Sequence, residues 1–507
     1  MKRTALILGL MMTVFALGAR AEGERIRPLS LEECIRIALQ HNYDIQISRL
    51  NPELAGFSLS SSYGAYDPTL SFGASHDYNL SPGGRDELNR AYGGTESEAN
   101  NIDAGLNGLL PWGLNYSLGT RMTDRWGTQP SFDVFTNLIR EPFENTSGNV
   151  GVFTMRQPLL KNFWIDAPRL QIFVSKKNLK FSEYGLRNQI IISVTDVEAA
   201  YYNLIFANES VKVQEKALEL AERLVAENRR RVEVGALAPL DEKQAEAQAA
   251  SSRADLLAAQ ASRDTAERVL KGLLSDDYND WMDVRVEPAE SLLAVPQTFN
   301  LQESWRKGLD QRPDLIQARI SVEIQTKQVS YSKNQLYPQL DLFGDFGYSA
   351  SAINGEFSDA YGQIADRDNP FYSYGVAVTI PLANTSARNN YKSEKVTKEQ
   401  LQLQLRKAEQ GALIRIENAM ATARISFERV SVTRQATQYA ADALKAEQTK
   451  LEKGKSTSFV VLQLQSNLTA ARSAEIRALA DYNIDLARLA QEEGSTLDRR
   501  SIDLEFK

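Results

Sequence analysis

Two spacings of apolar residues divide this chain into helical and strand-forming stretches. Over residues 171–234 they recur three and four apart, at Ile190, Val194, Val197, Tyr201 and Leu204, as one face of a helix requires. No proline falls between Pro168 and Pro239, nor anywhere after Pro381, so nothing breaks helices of unusual length there. The first stretch alone would reach roughly 96 Å at 1.5 Å per residue. A helix so long needs another long helix as partner, and the alanine-rich residues 240–274 and 459–489 supply it. Small side chains such as Ala245, Ala249, Ala254 and Ala258 let helices approach closely, which predicts a narrow wall rather than a thick core.

Elsewhere the period shortens to two. Residues 114–120 and 149–155 alternate apolar and polar positions, and 69–78, 340–348 and 374–380 do so in part. Polar stretches rich in Gly, Asn, Asp and Ser, over 79–101, 123–147 and 349–369, read as long loops. Leu110-Pro111-Trp112-Gly113 reads as a tight turn. Strands of about ten residues with one apolar face suit a bilayer-spanning barrel. A soluble sandwich with one wet face carries the same pattern, and the helices by themselves also fit a coiled-coil scaffold.

The chain repeats itself. Residues 29–39 match residues 299–309 at an offset of 270, which persists through Asp44 against Asp314 and Pro68 against Pro338. Both copies open on a capping-box pattern, Ser30-x-x-Glu33 and Asn300-x-x-Glu303, which marks a helix start. Further on, Arg169 pairs with Arg388 and Gly235 with Gly454 at an offset of 219. An internal duplication in which the first copy carries about 51 extra residues between Leu70 and Arg169 accounts for both offsets. The extra segment holds strand candidates over 106–110 and 114–122, joined by Pro111-Trp112-Gly113, and so predicts a hairpin that the second half lacks.

Composition narrows the chemistry. The 507 residues carry 58 basic and 65 acidic side chains, a net charge of −7 without the basic excess of a nucleic-acid binder. Cys34 is the lone cysteine and His41 and His76 are the two histidines, too few for a disulfide, a zinc cluster or a dispersed triad. Neither a cofactor, a metal site nor an enzyme is expected. The acidic run Asp276, Asp277, Asp280 and Asp283 lacks the glycine and spacing of a calcium loop and reads as solvated. Lys2 and Arg3, an apolar run over 5–19 and Ala19-Arg20-Ala21 predict a cleaved signal peptide over residues 1–21. No cysteine follows Ala21, so lipid attachment at a new N-terminal cysteine is not expected. Beyond it we read no stretch apolar enough for a transmembrane helix, so a membrane-embedded part must consist of strands.

Taken in order, these features resemble the TolC family of outer-membrane export channels. The resemblance spans residues 29–494. It rests on the signal peptide, the capping-box start with Ala38-Leu39, the strand entries Tyr66-Asp67-Pro68 and Tyr337-Pro338, and Gln157-Pro158-Leu159 leaving the strands. Its strongest markers are two helix-turn-helix tips, Arg231-x-x-x-Gly235-x-x-x-x-Leu240-Asp241 and Leu451-x-x-Gly454-x-x-x-x-Phe459-Val460-Val461-Leu462.

The family implies an α+β membrane protein: a homotrimer whose strands close one outer-membrane β-barrel, continued by a long antiparallel α-helical barrel in the periplasm. The family's usual four strands per chain would become six if the extra hairpin joins the barrel. The expected organisation is a first repeat over 22–274, an acidic linker over 275–298, a second repeat over 299–494 and a tail over 495–507. The implied function is a passive exit duct of a tripartite efflux or type I secretion system, fed by an inner-membrane transporter through a periplasmic adaptor (membrane fusion) protein. The alternative is a periplasmic scaffold without a channel.

Carried over by position, the adaptor-docking turns are Val234, Gly235, Ala236 and Leu237, and Lys453, Gly454, Lys455 and Ser456. Gly235 and Gly454 also suit left-handed helix caps. Arg229, Arg230, Arg231, Lys450 and Lys453 sit at helix C-termini, where cations offset the helix dipole. At the periplasmic gate, Asp241 matches the family's acidic network residue. Val460 and Gln463 stand where the family has aspartate rings, and Leu451 and Ser456 where it has an aromatic residue and an arginine. A constriction of apolar packing replaces a cation-binding ring on this reading. The partners implied are two further copies, the adaptor, the transporter and outer-membrane lipid. The nature of the exported substrate stays open.

Overall fold

The computed structural model describes residues 25–85, 89, 91–131, 139–235, 237–353 and 357–503. The signal segment expected over residues 1–21 and the tip residue Ala236 lie outside them. The chain forms two compact units, and each takes segments from both sequence halves.

One unit contains the sheet. Its strands are β2 (Thr69–Ser81), β5 (Thr95–Leu109), β6 (Asn115–Ser131), β7 (Ile139–Pro158), β9 (Gln339–Ile353) and β10 (Pro370–Thr379). Adjacent strands run antiparallel in the order β10-β9-β7-β6-β5-β2. A separate two-residue pair, β3 (Gly84–Arg85) with β4 (Ala91–Tyr92), lies between β2 and β5 in sequence. The strands run well into the stretches read as long loops. β5 begins at Thr95, β6 reaches Ser131, and β9 reaches Ile353 before the short helix α7 (Phe357–Asp366). Ladder hydrogen bonds, not side-chain hydrophobicity, extend strands into polar sequence. α7 packs Ala360 and Ile364 on Ala350 and Ala352, and Gln363 bonds both the N–H and the C=O of Ser351. It thereby covers the part of β9 that reaches past β10.

The other unit holds β1 (Arg25–Leu29), which pairs in parallel with β8 (Val284–Pro288), and α1 (Leu31–His41). Ser30 caps α1 as predicted: its backbone N–H donates to Glu33 Oε2 at 2.9 Å, and its hydroxyl accepts from the Glu33 N–H at 3.2 Å. At α5 (Leu301–Gln311) half of that box survives. Asn300 Oδ1 accepts from the N–H groups of Gln302 and Glu303, while the Glu303 carboxylate pairs with Lys307.

The remaining helices are α2 (Tyr43–Tyr63), α3 (Ala167–Glu233), α4 (Pro239–Leu274), α6 (Pro313–Asn334), α8 (Thr385–Glu452), α9 (Ser458–Glu493) and α10 (Thr496–Arg499). The duplication is visible in their bounds. α2 and α6 begin 270 residues apart, as do β2 and β9; α4 and α9 begin and end 219 apart. The predicted stripe Ile190, Val194, Val197, Tyr201 and Leu204 is buried on α3. One window of α3 is apolar enough to cross a membrane, against the expectation of none, but 67% of it is buried, which makes it a core segment. In the same unit Tyr201 and Tyr482 donate their hydroxyls to the carbonyls of Leu29 and Val295. A Cβ on Gly308 would lie 2.3 Å from Ile416 Cδ1, so α5 meets α8 closely there and an added methyl would displace the Ile416 side chain. Within the stretch expected as a tail, Thr496–Arg499 form α10, and Arg500 pairs with the buried Glu198 at 2.7 Å.

Candidate functional site

Helices α3 and α4 join through one tip turn, α8 and α9 through the other. Gly235 (φ +76°) and Gly454 (φ +68°) end α3 and α8 in the left-handed conformation, donating to the carbonyls of Val232 and Leu451. Nothing stands within 4 Å of a Cβ at either glycine, so backbone conformation alone selects them. Val234, Gly235, Lys453, Gly454 and Lys455 are exposed, with Val234 at 77%; Leu237 and Ser456 are half-buried.

The basic residues here are mostly paired. Arg229 reaches Glu242 at 3.0 Å and Glu246 at 3.2 Å, Arg231 pairs with Glu227, and Lys450 with Glu447 at 2.8 Å. Glu447 also accepts from Ser456 Oγ at 2.6 Å, and these two partners hold its carboxyl below the ordinary value. Lys243 does the same for Glu246, with Arg229 adding to it.

Beneath the turns, Leu224, Leu444, Leu451, Val461, Leu462 and Leu468 form one buried cluster. Leu451, at a position where the family has a polar-network partner, is therefore core. Inside this unit Ser458 Oγ donates to Asn228 Oδ1 at 3.0 Å, and Asn228 Nδ2 donates to the Asp241 carbonyl at 3.2 Å. Asn228 and Ser458 are both buried, so each needs the other as a partner. The sequence reading missed them. The available signal was Asn228 standing four residues after Leu224 on an apolar stripe. Of the expected gate residues, Asp241 enters this network through its backbone, not its carboxylate. Val460 and Gln463 are exposed, and Gln463 bonds Asn467 on its own helix.

The sheet has two unlike faces. Directly paired residues share a face, and Leu70, Leu106, Leu118, Phe153, Phe346 and Tyr372 form one unbroken row across all six strands. The next row, on the opposite face, is Thr69, Asn107, Ser117, Thr154, Asp345 and Ser373. Large side chains on the apolar face stand in the open, Phe72 at 78% and Tyr374 at 81% exposure.

Other reactive groups have local duties. His41 ends α1 and bonds Asp276 at 2.8 Å, which lowers that carboxyl. Cys34 is fully buried, and desolvation pushes its thiol up to about 12. Among the described residues no three His, Cys, Asp or Glu side chains gather as a metal site would require.

Residues 165–275 and 306–495 match the family described as outer membrane efflux protein. The chain is 25% identical over 348 residues to the outer membrane efflux protein BepC of Brucella suis biovar 1, covering 66% of this chain and 70% of that one. It is 22% identical over 295 residues to the outer membrane protein TolC of Escherichia coli, covering 58% and 59%. Among solved structures, the CmeC outer membrane channel of Campylobacter jejuni superposes with a TM-score of 0.65 at 15% identity, covering 94% and 90% of the two chains. VceC of Vibrio cholerae gives 0.64 at 18% identity, covering 92% and 96%. These likenesses show that the fold is that of TolC-like outer-membrane channels. Strands β2 to β7 lie outside the residues that the family match covers.

Proposed function

Because the chain belongs to the outer membrane efflux protein family, we propose that it is the passive exit duct of a tripartite export system. Three copies join through the open edges of β2 and β10, whose backbone groups have no partner strand within one described chain. The observation that carries this reading is the pair of transverse rows. Apolar Leu70 through Tyr372 suits hydrocarbon, and polar Thr69 through Ser373 suits a water-filled lumen. A soluble scaffold would have no use for Phe72 and Tyr374 standing in water.

In this reading an inner-membrane transporter supplies the energy and a periplasmic adaptor connects the two. The adaptor docks on the exposed turns at Val234, Gly235 and Leu237 and at Lys453, Gly454, Lys455 and Ser456. Val460 and Gln463 line the closed end, and the Asn228–Ser458 bond holds the hairpins together when no partner is bound. Reconstitution tests the reading. Purified protein should run as a trimer in mild detergent and conduct ions across planar bilayers; a stable monomer that leaves bilayers sealed overturns it.

A further inference from the structure

The first half carries about 51 residues more than the second, and the β5–β6 hairpin, which the second half lacks, enters the middle of the sheet. A loop insertion would have left β2 beside β7, as the duplication implies. Instead β5 pairs with β2 from Thr69 to Ser81, and β6 pairs with β7 from Asn115 to Ser131. We propose that this hairpin is part of the barrel wall, so that three copies close eighteen strands around a bore about half as wide again as the twelve that duplication alone would give. The inference rests on the exit-duct reading above.

Three observations support it. The two-faced pattern runs through the hairpin's turn-proximal half, from the turn up to Ile102 and Met122. Leu106, Ala104 and Ile102 continue the apolar face into Leu118, Thr120 and Met122, while Asn107, Asp103 and Asn101 face Ser117, Arg121 and Thr123 on the polar side. Second, the row from Leu70 to Tyr372 starts next to the helix-proximal end of β2 and finishes in the far half of β10. That drift of about six residues over five strand spacings is a slant of roughly 40°, within the tilt that closed barrels need. Ladder irregularities at Gly119/Arg121 and Val150/Phe153 add local twist where a wall must curve. Third, the hairpin's turn is seated at the foot of α3. Gly113 (φ +91°) donates to the Leu110 carbonyl at 2.8 Å, and an added Cβ there would lie 2.9 Å from Arg169 Nη2. Arg169 in turn bonds the Asn162 carbonyl and Asp166.

The consequence is a polar lumen in which Asp103, Arg121 and their neighbours extend the circumference, a bore suited to hydrated solutes bulkier than a twelve-stranded wall admits. Inter-subunit distances test it directly. With strands 4.8 Å apart and tilted by 40°, three-fold mates in the wall lie about 31 Å apart for eighteen strands and about 21 Å for twelve. Pulsed electron–electron resonance on full-length Ser373→Cys in lipid nanodiscs reads this distance, and Thr154→Cys on the same row provides a second site. Native Cys34, buried, stays unlabelled. A trimer with the longer distance at either site is the result expected. A trimer with the shorter one overturns the inference and leaves the exit duct standing, and failure to form a trimer overturns both.

Discussion

Ser458, the first residue of α9, donates its hydroxyl to Asn228 of α3 across 230 residues of sequence, and both side chains are buried. Asn228 in turn holds the Asp241 carbonyl, so a single amide ties the second hairpin to the start of α4. Removing it should cost more than removing its partner. Asn228→Ala leaves both the Ser458 hydroxyl and the Asp241 carbonyl without this partner, whereas Ser458→Ala leaves only the Asn228 amide oxygen, so within a range of about 1–3 kcal/mol the first lies toward the top and the second toward the bottom. Hydrogen exchange at the two tip turns and bilayer conductance should both rise, more in Asn228→Ala. Unchanged exchange in both variants would refute a structural role for the pair.

Gly235→Ala and Gly454→Ala should each destabilise their turn by about 1 kcal/mol, because a Cβ in the left-handed region meets its own backbone. No neighbouring atom clashes, so Asn, which tolerates this region, should recover part of the loss. Local exchange rates in the four variants check this; equal rates for Ala and Asn would argue that the turns relax out of the left-handed conformation.

Acid should loosen the tips. Glu246 and Glu447 have carboxyls lowered from 4.5 by their cationic and hydroxyl partners. A lowered folded value means that the stabilisation is complete above pH 4.5 and disappears as pH falls through the depressed values. Exchange at the turns should therefore accelerate below pH 4.5, and Glu447→Gln should reduce the pH dependence at the α8–α9 turn without affecting the α3–α4 turn.

Leu118 and Ser117 are neighbours on opposite faces of β6. On the exit-duct reading, Leu118→Arg would place a cation in lipid, costing up to about 2–4 kcal/mol depending on depth, whereas Ser117→Arg would place it in water. Heat-resistant trimer recovered from outer membranes should drop for the first and persist for the second. Equal recovery would mean that the faces have been assigned wrongly.

The long helices were legible because unbroken 3.6-residue periodicity and the lack of proline are local signals. The strands were legible only in part. Asn100, Glu98 and Asp124 interrupt the apolar face of β5 and β6, so those ends resembled loops, although ladder bonds carry the strands through them. Gly235 and Gly454 announced the turns through glycine chemistry. The place of Asn228 on an apolar stripe marks it as buried, but nothing local names Ser458, on another helix, as its partner.

The interleaving of both halves in each compact unit bears on biogenesis. Neither unit is complete until the segment after Leu413, or the stretch from Arg312 to Ala412, has been translocated. Most of the polypeptide is therefore made before its native neighbours exist. The edges of β2 and β10 therefore stay unpaired until late in the chain's synthesis.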